Sequence, residues 1–311
     1  MLLTIIAALT PIACVIALGH ALRRINFVPE QYWDAADKLV FWVFIPALVV
    51  KSVSTAALQA GPATGIGLAV LAGPLAVGLG LWAARPLLAK YKKLDGPSFT
   101  SMLQASMRTN MFIGLAIAQD RFGPESIALF AIGIAWMVPT VNVISVFALL
   151  RHGEGAKGSG IPTIFKALLR NPLILSILAG LALNFTGLGS PPILNEVLTM
   201  FGAVAVPLAL LSVGASLDLK RLRRPGWRMS TATVLKLIIS PTITWAAGLA
   251  LGMDRDTIAI AVLVQCWPTA VSAYALARQM GGNAPLLAEI MSFQTLAAAV
   301  TAPIILALFV L

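Results

Sequence analysis

Charge is what this chain has least of. Only 11% of its 311 residues are Asp, Glu, Lys or Arg, against 59% hydrophobic, and the mean hydropathy is +0.91. A soluble domain carries about 25% charged residues to cover its surface, so a water-soluble fold is excluded and nearly all of the chain is membrane. Acid is scarcest: there are 12 Asp and Glu residues, none in the middle of an apolar run. That absence excludes the paired aspartates of an intramembrane enzyme, and no HExxH helix or nucleophile–base set is present either. Cysteine is limited to Cys14 and Cys266. Without a CxxC pair they indicate no metal site and no disulfide framework, and they read as small buried hydrophobes. No basic region precedes the first apolar run, which is long enough to span, so it reads as a retained helix rather than a cleaved signal peptide. No loop is long enough for the output module of a receptor, and too few polar stripes cross the apolar runs for a channel pore. The loop GEGAKGSG (153–160) lacks the Gly-Lys-Ser/Thr ending of a phosphate loop and reads as flexible.

What remains is a succession of apolar runs. Ten can be drawn, at about 2–21, 38–57, 62–84, 98–118, 125–150, 171–187, 194–217, 229–252, 256–277 and 285–310. The net charge of +10 does not mark a nucleic-acid binder, because the basic residues sit in short loops without a solvated basic patch interleaved with aromatics. Seventeen of the 22 lie in or beside the odd-numbered loops, two (Arg121 and Arg255) in the even-numbered ones. The positive-inside rule then puts the odd loops in the cytoplasm and both termini outside. For PTIFKALLR (162–170), Lys166 and Arg170 four apart suggest an interfacial helix on the anionic inner leaflet.

The two halves resemble each other. Pro11 and Gly19 are eight apart, as are Pro172 and Gly180; Pro46 follows Pro11 by 35 positions, and Pro207 follows Pro172 by 35. IPALVVKSVS (45–54) compares with VPLALLSVGAS (206–216), and IAQDRFG (117–123) with LARQMGG (276–282). An odd number of spans per copy makes the second copy enter the membrane from the opposite side. The expected fold is therefore all-α and integral to the membrane, a five-plus-five inverted repeat over 1–150 and 163–311 with a cytoplasmic linker at 151–162, the plan of secondary transporters.

Four stretches in this order carry a resemblance: RTNMFIGLA (108–116), NPLILSILAGLAL (171–183), VPLALLSVGASL (206–217) and PTAVSAYALARQMGGN (268–283). The chain resembles the auxin efflux carrier family, bacterial relatives of plant PIN proteins that include malonate and malate permeases. The resemblance covers essentially the whole chain. It implies a scaffold of spans 1, 2, 6 and 7, often the contact of a homodimer, and a mobile unit of spans 3–5 and 8–10, in a fold like that of NhaA and the bile-acid symporters. It further implies that spans 4 and 9 are broken and cross near the midplane, where a small carboxylate binds and is carried by alternating access across the inner membrane. The family's proline in span 9 is Pro268; span 4 has none, Ala116 standing where relatives often carry one, so its break rests on Thr109, Asn110 and Gly114.

The residues themselves support a site there. Arg108 in a membrane helix costs about 2.5–3.5 kcal/mol on insertion scales unless it faces a cavity or partner, and its planar fork matches a carboxylate. It is either the substrate clamp or a cap on carbonyls freed by the break. Pro268 orphans the carbonyl of Val264 and marks either a simple kink or a break that exposes amides after it, with Thr269 and Ser272 as added donors. Thr109 and Asn110, beside Arg108, read as lining the site, with interhelical glue the alternative for Asn110; Asn142 is site or interhelical glue. Gln104, Gln265, Glu289, Gln294 and Thr295 are candidates for polar lining or ion coordination. Lys51 and Lys236 read as snorkelling or carbonyl-capping, with Lys51 a scaffold contribution to the site. No cofactor or metal is expected; the coupling ion, proton or sodium, stays open, as do uniport and exchange.

Overall fold

The computed structural model describes residues 2–55, 60–123, 125–154, 172–186, 191–216, 226–270 and 272–309. Among them there is no strand. The elements are α1 (Leu2–Arg24), α2 (Glu30–Leu39) running through a π-helical turn (Val40–Phe44) into α3 (Ile45–Thr55), α4 (Ala60–Lys92), α5 (Gly96–Met107), α6 (Met111–Phe122) and α7 (Glu125–His152). Then come α8 (Pro172–Phe185), α9 (Pro192–Ser216), α10 (Trp227–Val234) running through a second π turn (Leu235–Ile239) into α11 (Ser240–Ala250), α12 (Arg255–Gln265), α13 (Ser272–Gln279) and α14 (Ala284–Phe309). Each apolar run carries a helix or a helix pair. Six of these rods are long and apolar enough to cross a membrane among the described residues: Gln31–Thr55, Thr64–Lys92, Ser126–His152, Pro192–Ala215, Trp227–Ala250 and Ala284–Phe309. The linker from 155 on, the PTIFKALLR segment and residues 217–225 lie outside the described residues.

Local chemistry explains the boundaries. The second rod starts at Glu30, eight residues before the apolar run, because its first turns (EQYWDAADKL) are helical but too polar to register in hydropathy. Each π turn ends two residues before a proline, Pro46 and Pro241. A proline has no N–H for the carbonyl one turn back and crowds it, and one extra residue in the turn lets the rod continue past the misfit. Large apolar side chains face outward, Leu79, Phe185, Met200 and Leu308 among them, as a lipid-exposed surface requires. Cys14 is exposed there too, so only Cys266 is the buried hydrophobe expected of both; the two thiols are free.

Small residues set the closest helix contacts. Gly19 of α1 lies directly against the Leu211 carbonyl of α9, and Gly214 of α9 lies against the Ile16 carbonyl of α1. On the other side, a Cβ at Gly180 of α8 would stand 2.7 Å from Val53 Cβ and 3.2 Å from the Val50 carbonyl oxygen of α3. Without a hydrophobic drive between helices in lipid, such backbone approach supplies the van der Waals contact that joins them.

Two aspartates cap the first halves of the broken rods. Asp95 accepts the Ser98 N–H at 2.7 Å at the start of α5, and Asp254 accepts the Thr257 N–H at 2.9 Å and its hydroxyl at 2.6 Å at the start of α12. Thr257's hydroxyl is the main reason the Asp254 carboxyl titrates below its ordinary range. At Asp95 partial burial opposes the shift, but the Ser98 bonds outweigh it and its pKa is also lowered. A lowered folded-state pKa stabilises fully above the unfolded value of about 3.9 and stops doing so as pH falls through the folded value. Asp95→Ala and Asp254→Ala each lose about 0.5–2 kcal/mol at neutral pH, the lower end for half-exposed Asp95. In detergent melts this appears as a drop in Tm at pH 7 that vanishes in strong acid.

Candidate functional site

The fourth run breaks without a proline. After Met107 the backbone is extended at Arg108 (φ −74°, ψ 152°) and at Asn110 (φ −83°, ψ 105°), and α6 begins at Met111. Asn110 caps that new start, its side-chain oxygen accepting the Phe112 N–H at 3.1 Å. The ninth run breaks after Gln265, with Cys266 to Ala270 non-helical before α13.

The two breaks hold each other open. In an intact helix the Ala105 carbonyl would accept from Thr109, and the Val264 carbonyl from residue 268, where proline has no N–H. Instead the Thr109 hydroxyl donates to Val264 O at 2.8 Å, and the Thr269 hydroxyl donates to Ala105 O at 2.6 Å. Each orphaned carbonyl is filled by the threonine of the other break. The Asn110 N–H also donates to the Pro268 carbonyl at 2.7 Å. Gln294 of α14 ties the arrangement together: its oxygen accepts the Thr269 N–H at 2.9 Å, and its amide donates to Ala105 O at 3.0 Å and Ala232 O at 3.4 Å. Buried polar backbone is satisfied here by cross-chain bonds, as irregular backbone at membrane depth demands.

Arg108 stands at this junction, 7% exposed. Its guanidinium donates to Asn142 Oδ1 on α7 and to Ser272 Oγ at 3.3 Å at the start of α13, and its Nε has no partner. Asn142 is half-buried and Ser272 exposed. A cation is thus brought together with an amide and an exposed hydroxyl, with no acid bonded to it among the described residues. A carboxylate offers two anionic acceptors in one plane and matches the guanidinium fork better than these two neutral groups.

The other expected residues are sorted by the geometry. Thr109 and Thr269 give their protons to backbone carbonyls, so they brace the breaks instead of donating to a ligand. The amide after Pro268, expected to be free for an anion, is engaged by Gln294. Gly114 is not at the break: it lies inside α6, where its missing side chain makes room for the Trp267 indole and Phe130. Thr295 bonds its own helix at Met291 O, 2.8 Å away, as a membrane-helix threonine commonly does. Glu289 and Lys51 are half-buried. Gln104 is fully buried and neither of its amide atoms has a partner.

Lys236 corrects an expectation. It does not snorkel: it is fully buried in the second π turn, and its ammonium donates to Gln265 Oε1 at 3.2 Å. Ser240 donates to the same oxygen at 3.2 Å, while the Gln265 amide donates to Val70 O at 2.8 Å and to Met137 Sδ at 3.3 Å. Sequence reading also passed over Trp267, buried beside the ninth break with its indole N–H unpartnered. The available signal was a tryptophan immediately before a proline at a predicted break.

Apolar rods surrounding two interrupted ones, with a cation at the junction, describe a multi-pass membrane protein built around a polar site. Residues 161–306 match the family model described as "Membrane transport protein". Two relatives extend the match over most of the chain. One, an "Uncharacterized transporter" of Methanothermobacter thermautotrophicus, is 25% identical over 93% of each chain. Another, a "Putative malonate transporter" of Rhizobium meliloti, is 25% identical over 87% of this chain and 85% of its own. Over residues 161–306 the chain is similar to this family of membrane transport proteins, and over most of its length to the two transporters. Family and relatives are named as transporters, not enzymes.

Proposed function

We propose that the protein is a secondary transporter of a small carboxylate anion, bound where the two interrupted rods meet and carried by alternating access. The observation that carries this reading is the Arg108 guanidinium, buried between α7 and α13 with only neutral partners and a free Nε among the described residues. A desolvated arginine without a fixed counter-ion is expensive in a membrane protein; a substrate carboxylate supplies the missing charge. The relative named as a malonate transporter is consistent with that substrate class.

The ten-span inverted repeat is part of the reading, and reciprocal contacts support it. Pro11 and Pro172, Gly19 and Gly180, Pro46 and Pro207 are each 161 positions apart. The same offset converts the contact of Gly19 with Leu211 into that of Gly180 with Val50. It also converts the bond from Arg23 to the Ala215 carbonyl, 2.6 Å, into the bond from Asn184 to the Ser54 carbonyl, 3.1 Å. A two-fold relation between halves generates such exchanged pairs; independent helices would not. The repeats then divide at the 151–162 linker, and spans 1, 2, 6 and 7 form a scaffold, with a homodimer through its outer face. The other six spans form the moving unit, the membrane is the inner one, and both termini lie outside, as the basic loops require.

Malonate counterflow in proteoliposomes tests the function. Vesicles preloaded with unlabelled malonate accumulate labelled malonate transiently above equilibrium, and the rate saturates. Linear flux without overshoot means a channel and overturns the carrier reading.

A further inference from the structure

We propose that Lys236 carries a coupling proton: its amine takes up a proton when the carboxylate binds and releases it when the site empties. The proposal rests on the anion site above and adds a second site to it.

The geometry is specific. Lys236 is fully buried, inside a π turn that displaces one residue from the regular helix ladder. An ammonium has three N–H donors, and the partner for them among the described residues is one neutral oxygen, Gln265 Oε1. That oxygen is held in place because the amide end of Gln265 is turned to Val70 and Met137. Gln265 is the last residue of α12, so the ammonium sits beside the partial negative end of that half-helix. The next residue back, Val264, holds Thr109 through its carbonyl, and Thr109 adjoins Arg108. Both buried cations are therefore tied to the end of α12, Lys236 through the Gln265 side chain and Arg108 through its neighbour Thr109.

Electrostatics couples them. With the site empty, a second uncompensated cation tied to the same half-helix end is unfavourable in a low dielectric, and an arriving carboxylate brings negative charge to that end. The chemistry balances as an amine plus a proton from water forming an ammonium, reversed when the anion leaves. Of the elements packed on this turn, α5 and α11 carry no charge. The charged residues on the other elements packed on it are Arg85, Lys90 and Lys92 on α4, Arg228 on α10 and Glu289 on α14, while α12 carries Arg255 and Asp256 at its start, away from Gln265. None bonds the ammonium; the titratable group that faces it is the Cys266 thiol.

Calorimetric titration of purified protein with malonate, in buffers of unlike ionisation enthalpy, counts protons. The wild type is expected to take up about one proton per malonate as pH is raised through the range where the amine of the empty protein is neutral. Lys236→Met and Lys236→Arg bind malonate with no uptake, the first having no amine and the second holding its charge, and Cys266→Ala keeps the wild-type count. Malonate binding with no proton uptake by the wild type overturns the proposal without any variant. Uptake that survives in Lys236→Met, or is lost in Cys266→Ala, overturns it as well. A wild type that binds no malonate or other small carboxylate refutes the anion site itself, a separate result.

Discussion

Arg108→Gln eliminates measurable carboxylate binding while the protein still purifies as a folded species. Removing one partner of a buried, hydrogen-bonded charge pair costs about 2–5 kcal/mol, roughly 30-fold to several-thousand-fold in Kd. Folding survives because the breaks are braced by Thr109, Thr269, Asn110 and Gln294, none of which bonds the guanidinium. Glutamine still offers an amide donor to Asn142, which limits the penalty for that buried oxygen. Arg108→Lys keeps the charge but not the planar fork and falls between the two. Thermal shift against a malonate series reads all three proteins, since a ligand that binds only the folded state raises Tm with concentration. A Gln variant with wild-type affinity would make Arg108 a carbonyl cap and move the anion elsewhere.

The second large effect is on the fold. Gly19→Leu and Gly180→Leu each place a side chain where α9 or α3 already stands, against the Leu211 carbonyl in one case and Val53 in the other. Overpacking typically costs 1–3 kcal/mol and more where backbone must move, so both variants are expected to lose about 3 kcal/mol or more and to aggregate on extraction. Gly80→Ala is the control: nothing lies within 4 Å of its added Cβ, and helix propensity makes it neutral or stabilising by up to about 1 kcal/mol. Equal damage at Gly19 and Gly180 is what the proposed two-fold scaffold predicts from their exchanged contacts. A tolerant Gly180 beside an intolerant Gly19 would break that equivalence.

Composition and the proline–glycine spacing were enough to locate the rods, because lipid forces backbone satisfaction inside each helix and leaves a plain hydropathy signal. The singular position of Arg108 was legible for the same reason, a permanent charge where charge is costly. What sequence does not display is a bond between two chain segments. The break before Met111 could not be read from propensity, since its causes lie across the junction in Pro268 and Val264 as well as in Asn110. A hydroxyl's acceptor is invisible in a linear string, and here the Thr109 and Thr269 hydroxyls go to backbone carbonyls of the opposite break. Gly114 was assigned to the break by habit of residue type, though its use is room for Trp267. Lys236 was read by its position in an apolar run, where snorkelling is common; the π turn and the inward-facing Gln265 decide otherwise.

The most direct test of the anion site is to see where the anion sits. A crystal of the protein with bromomalonate gives an anomalous bromine peak. The account predicts it at the junction, with a carboxylate accepting from the Arg108 guanidinium in place of Asn142 Oδ1. A peak away from the two interruptions, with Arg108 still on Asn142, would contradict it.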